Sequence, residues 1–192
     1  MTSSYASTAD FFEAKYQEHS DPWDFAGSQY ELARYDAIVT ALSHRRYRNA
    51  IEPGCSIGVL TERLATLCDH VLAFDFSPAA TAQAAARCSH LPGVQIECAS
   101  FEDRLPDPAY DLVVLSEIGY YFPLADWHQL TARIVDSLAP GTTLLAEHWL
   151  GHSPDHVISG DVVHDILLLH PHLVLKHSER HEAFRLDRWE RR

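Results

Sequence analysis

The chain has 192 residues, 46% of them hydrophobic and 22% charged, which excludes a disordered tail or a fibre and fits one globular domain. Fifteen Lys and Arg against 27 Asp and Glu leave a formal charge of −12, so phosphate backbones and anionic lipids are repelled, and neither nucleic acid nor membrane is an expected partner. There is no basic–apolar leader, no apolar run of about 18 residues, and no C-x-x-C among Cys55, Cys68, Cys88 and Cys98, so a reducing cytoplasm is the expected setting.

Residues 1–47 are aromatic and charged and predict one or two helices laid across the domain. Residues 48–150 alternate strand-like and helix-like segments. The segment 49–53 is a short strand, followed by the loop 54–58 and a helix over 59–68 with Leu60, Leu64 and Leu67 at helical spacing. A buried strand over 70–76 ends at Asp75. Ser77 and Pro78 then start an Ala-rich helix over 79–88, as N-cap and first helical residue. Strands are predicted at 94–99, 110–116 and 142–149, with a helix over 124–138 carrying Trp127, Leu130, Ile134 and Val135 on one face. Residues 151–192 predict a helix over 160–169 and two closing strands, 173–180 and 182–189. Strands alternating with helices mean βαβ units and a mainly parallel sheet, an α/β fold.

The chemistry is expected at the carboxyl ends of the strands, where open parallel sheets bind ligands. The loop after the first strand reads E-P-G-C-S-I-G, not the G-x-G-x-x-G of a dinucleotide fold, which argues against a nicotinamide oxidoreductase. Glu52 opposes a pyrophosphate and suits a cationic amino group. Asp75, 17 residues past Gly58, stands where an acid accepts the ribose hydroxyls. A nucleoside with an ammonium group and no phosphates is S-adenosylmethionine.

That loop, the acidic strand end, YDLVVLSE and LAPGTTLL resemble the motifs of class I S-adenosylmethionine-dependent methyltransferases over residues 48–150. With DPWDF, SQYELARY, LSEIGYYF, HW and GDVVHD, the resemblance extends over nearly the whole chain to the nodulation protein S-type N-methyltransferases. It implies a Rossmann-like, seven-stranded, mostly parallel sheet flanked by helices, and S-adenosylmethionine as cofactor, with S-adenosylhomocysteine as product. The implied cofactor residues are Trp23, Arg34, Glu52, Gly54, Cys55, Ser56, Gly58, Asp75, Phe76, Ser100, Phe101 and Ser116, with Arg34 on the methionine carboxylate. Two positions depart from the class: Ser56 replaces a usual glycine, and Ser100 replaces an acid that holds the adenine, with Glu102 or Asp103 as substitutes.

On the acceptor side, Glu117 and His148 are the expected catalytic residues, the first to orient an amine or accept its proton, the second as a base near neutrality. Tyr120, Tyr121 and Trp149 are expected platforms for the acceptor, with His164 and Asp165 folded over them. The expected acceptor is the amine of an amino sugar or chitooligosaccharide-like small molecule. O-methylation of a sugar or metabolite, and a non-catalytic nucleoside-binding module, stay open. His148, His152 and His156 are spaced by four, but Gly151 and Pro154 interrupt a helix there, so no metal is expected. A monomer or weak homodimer is expected.

Overall fold

The computed structural model describes residues 6–101 and 103–192. Two helices, α1 (Ala6–Glu18) and α2 (Gln29–Leu42), precede β1 (Tyr47–Pro53), α3 (Val59–Leu64), β2 (Cys68–Asp75), α4 (Pro78–Cys88), β3 (Val94–Cys98) and β4 (Leu112–Ser116). A short helical turn, Gly119–Tyr121, leads to α5 (Leu124–Ser137), β5 (Thr143–Trp149), α6 (Gly160–Leu168), β6 (Leu173–Arg180) and β7 (Phe184–Arg191).

The seven strands form one sheet in the order β3-β2-β1-β4-β5-β7-β6. The first five are parallel, and β7 runs antiparallel between β5 and β6. Successive side chains of a strand point to opposite faces, so the unbroken apolar run of β4 feeds two cores. Leu112 and Val114 join Ile38, Leu42 and Leu60 on one face. Val113 and Leu115 join Trp127, Ile134 and Trp189 on the other. The chain reverses its direction of strand addition between β1 and β4, which opens a crevice at their carboxyl ends.

Local signals set the helix starts. Ser77 accepts the Ala80 N–H at 3.0 Å, and Pro78 follows where no N–H is needed. Ser28 and Ser159 cap α2 and α6 in the same way. One predicted helix is shorter than its periodicity: α3 ends at Leu64, because Tyr47 N–H bonds to Leu67 O and Cys68 pairs with Tyr47, drawing that residue into β2. The fourth strand begins at Leu112 because the Asp111 carboxylate is turned back to the Arg48 and Asn49 N–H groups. The closing strand lies two residues beyond its predicted span. Among the described residues no helix is long and apolar enough to cross a membrane.

Candidate active site

The loop between β1 and α3 is shaped by positive backbone angles. Gly54 has φ +72°, and a Cβ there would lie 2.4 Å from Ile118 Cγ2, so only glycine lets the loop pass. Ser56 also sits at φ +50°, the left-handed region that explains the usual glycine at this position. Its N–H donates to Asp75 Oδ2 at 3.0 Å, and Ser77 N–H donates to Oδ1 at 2.9 Å. Burial pushes the Asp75 carboxyl up to about 6, against the pull of those N–H groups, so it is largely ionised at pH 7. It faces a cavity of about 1040 Å³.

That cavity runs along the strand ends. Gly54, Ser56, Asp75, Phe76, Ser100 and Phe101 line the part beyond β1, β2 and β3. An ionised acceptor, flat aromatic walls and a glycine-bearing loop fit a phosphate-free nucleoside. Asp103 does not stand in for the missing adenine acid: its carboxylate accepts the Ser100 N–H and hydroxyl, capping its own turn. Glu102 lies outside the described residues.

Helix α1 lines this part of the cavity with Phe12 and Tyr16. Tyr16 donates its hydroxyl to Ser56 Oγ at 2.5 Å. Glu13 accepts from the Ser77 hydroxyl and from Ala79 N–H, at the start of α4. Phe12 packs on Phe76, Tyr121 and Trp23, at ring separations of 5.8, 4.8 and 5.9 Å. Trp23 lines the cavity as expected, but Phe12 and Tyr16 do too, and sequence reasoning missed both.

Four residues expected against the cofactor, Glu52, Cys55, Gly58 and Ser116, do not line this cavity. Glu52 is buried and accepts the Thr61 hydroxyl at 2.6 Å. Glu52, Cys55 and Ser116 border a separate small cavity under Gly54 and Ser56. Gly58 packs α3 on α4, where a Cβ would meet Ala84 at 3.0 Å.

Arg34 also departs from its expected role. It is 1% exposed and does not line the cavity. Its Nη1 bonds Glu117 at 2.9 Å and Glu147 at 3.1 Å, and its Nη2 bonds Glu31. Its two Nη groups are thus bonded to carboxylates, and its Nε is buried without a hydrogen-bond partner among the described residues. Its work is to hold carboxylates together: Glu31 and Glu117 face the cavity, while Glu147 is buried behind them and accepts from Ser116 Oγ. Burial pushes the Glu147 carboxyl up, toward its neutral form. One guanidinium with two cavity-facing carboxylates leaves this wall negative.

Glu117 is fixed in place by its backbone as well. It has φ +58°, and its Oε1 accepts Trp149 N–H at 2.6 Å. Beyond it stand Tyr120, Tyr121 and Trp149, which line the cavity as expected. The loop after β5 adds Asp155 and His156 to the same wall. The His156 ring stacks on Tyr120 at 3.7 Å.

His148 lies elsewhere. It is fully buried and does not line the cavity. Its Nε2 accepts the Gly119 N–H at 2.9 Å, so in the neutral ring Nδ1 carries the proton and donates to His164 Nε2 at 3.2 Å. His164 in turn donates from Nδ1 to Asp187 Oδ2 at 2.7 Å. This chain pins the Gly119–Tyr121 turn to β7, and both nitrogens of His148 are committed to it. His148 as a base and His164 as an acceptor contact are therefore corrected to structural roles. Asp165 is exposed on the outer face of α6 and pairs with Arg185 at 3.0 Å, away from the cavity lining.

The strand order, the glycine loop over the β1 carboxyl end and the acid at the end of β2 together define the fold of the class I S-adenosylmethionine-dependent methyltransferases. The chain belongs to the nodulation protein S (NodS) family, whose sequence pattern matches residues 5–158. Nodulation protein S of Bradyrhizobium diazoefficiens is 32% identical over 131 residues, which are 65% of this chain and 61% of that protein. The match to nodulation protein S of Rhizobium tropici, 27% identical, spans 65% of this chain and 53% of that protein. The chain thus spans between half and two thirds of the length of these relatives.

Among solved structures, the N-methyltransferase NodS of Bradyrhizobium japonicum with S-adenosyl-L-homocysteine superposes with a TM-score of 0.81 at 22% identity, over 95% of this chain and 98% of that one. A candidate methyltransferase from Pseudomonas syringae superposes at 0.72 with 31% identity, over 85% of this chain and all of that one. Among the described residues no group of His, Cys, Asp and Glu is arranged to hold a metal.

Proposed function

We propose that this protein transfers a methyl group from S-adenosylmethionine to the nitrogen of a small amine, and that the amine belongs to an amino sugar or a chitooligosaccharide-like acceptor. The observation that carries the reading is the negative wall of Glu31 and Glu117, organised by Arg34, across one cavity from the Asp75 end. Family membership and the bound product of the Bradyrhizobium japonicum relative support the cofactor.

S-adenosylmethionine would supply an activated methyl on a sulfonium, poised for in-line displacement. The protein supplies alignment and a dry site. Asp75 would hold the ribose hydroxyls, and Phe76 and Phe101, which line the same end of the cavity, would wall the adenine. Helix α1 closes over the pair and excludes water. Glu117, held rigid by Arg34 and Trp149 N–H, orients the acceptor ammonium, with Glu31 adding attraction from α2. Tyr121 and Trp149 offer apolar faces of the kind that stack on sugar rings.

Calorimetric titration with S-adenosylhomocysteine tests the cofactor half. Wild type should bind, and Asp75→Ala should weaken binding by about 1.5–3 kcal/mol, the worth of charged hydrogen bonds. Equal affinity in the folded variant would remove Asp75 from the site.

A further inference from the structure

We propose that His156 is the group that takes the proton from the acceptor amine. The inference rests on the methyl-transfer reading above and adds the missing base to it. A base must reach the acceptor nitrogen and must have a free lone pair. His148 fails on both counts, and Glu117, held by Arg34 and by Trp149 N–H through Oε1, is placed to orient the ammonium by its charge.

His156 meets both conditions. Its ring lines the cavity beside Glu117, Tyr121 and Trp149. It stacks on Tyr120 at 3.7 Å and 17°, and stands edge-on to Tyr121 at 5.3 Å and to Trp149 at 5.9 Å. Among the described residues neither ring nitrogen carries a hydrogen bond; the only bond of this residue runs from its backbone N–H to Ser153 O. The ring is held without using its nitrogens, because Val157 and Ile158 N–H both bond Tyr120 O, at 2.8 and 3.3 Å.

The electrostatic surroundings suit the role. Burial holds the imidazole below its ordinary range, so it is neutral and able to accept near pH 7. Asp155 and Glu117 oppose that effect, and would stabilise the imidazolium once formed, while His152 acts with burial. Tyr120 and Tyr121 face the ring as neutral phenols, since burial raises both hydroxyls.

The step balances as follows. The acceptor arrives as an ammonium; one N–H bond breaks, and the proton passes to a ring nitrogen of His156. The freed lone pair then forms the N–C bond to the methyl carbon. The C–S bond breaks, with its electron pair left on sulfur. The products are a methylammonium, a neutral thioether and an imidazolium that returns its proton to solvent.

Two readouts test this, with D-glucosamine oligomers as the acceptor. In the first, kcat is compared for wild type, His156→Phe and His156→Asn. Phenylalanine keeps the stack on Tyr120 and removes the nitrogens. We expect kcat to fall roughly 10²–10³-fold in both variants, with S-adenosylhomocysteine affinity kept within about twofold. In the second, the His156 ring is titrated by NMR in labelled protein with S-adenosylhomocysteine, and D-glucosamine oligomers should shift its midpoint. Turnover in His156→Phe equal to wild type, or a midpoint indifferent to the oligomer, overturns the inference while the function stands. No transfer by wild type to any amine sinks the functional reading, and this inference with it.

Discussion

At the residue scale, a buried carboxyl and a buried pair of histidines give opposite pH signatures. Burial pushes Glu52 up to about 8, so its folded-state pKa lies above the ordinary carboxylate value. Folding then favours the protonated form, and stability drops as pH rises through the interval up to about 8. Glu52→Gln keeps an acceptor for Thr61 and cannot ionise. Its melting temperature should exceed that of wild type by roughly 5 °C at pH 9, a few kcal/mol, and the gap should close near pH 5. A constant gap would mean that Glu52 is ionised in the fold. His148 and His164 are held below their ordinary range, chiefly by burial. Their contribution is present above about pH 6.5 and is lost as pH falls. His148→Gln can accept from Gly119 and donate to His164, so it should retain most stability. His148→Ala should lose about 1–3 kcal/mol through the orphaned Gly119 N–H. Equal unfolding midpoints in urea for the two variants would show that the chain of bonds carries nothing.

Asp75, Gly54 and Glu117 were legible from strand ends and loop composition. His148 and Arg34 were misread for one physical reason. Residue type and proximity to a strand end do not report which way a side chain points, and both turn inward to buried partners. Asp155 and His156 sit in a stretch without periodicity, interrupted by Pro154, and nothing in that pattern places them at the cavity.

At the element scale, α1 is the part whose placement the periodicity left most open. Its contacts with the rest of the site are few and polar at Glu13 and Tyr16, and aromatic at Phe12. An element held by so few contacts opens more readily than the sheet. Hydrogen exchange in α1 should therefore slow when S-adenosylhomocysteine is added, while exchange in β4 is unchanged. Phe12→Ala should raise the ligand's dissociation rate without changing its ribose contacts. If α1 exchanges equally fast with and without ligand, it is not a lid. The central strands were legible because β4 is buried on both faces and reads as an apolar run, and β5 carries Leu144, Leu145 and Ala146 in succession. The end of α3 was not, because Leu67 and Cys68 fall at helical spacing while packing in the core from the turn before β2 and from its first residue.

At the scale of the whole molecule, the net charge of −12 acquires a place. Part of it forms the wall where Glu31 and Glu117 share one arginine, facing a cavity whose other end is lined by Asp75, Phe76 and Phe101. Replacing Glu117 by Gln keeps the size of the side chain and removes half of that attraction. The KM for an amine acceptor should rise about tenfold, the effect of one charged hydrogen bond, with S-adenosylhomocysteine affinity unchanged. An unchanged KM would move the acceptor site elsewhere. Methyl transfer to a free amine is tested most directly by isotope labelling. Methyl-labelled S-adenosylmethionine is incubated with D-glucosamine oligomers and, separately, with their fully N-acetylated counterparts. Label is expected on nitrogen in the free-amine oligomers and not in the acetylated ones. Equal labelling of both, or label on oxygen alone, would contradict transfer to a free amine.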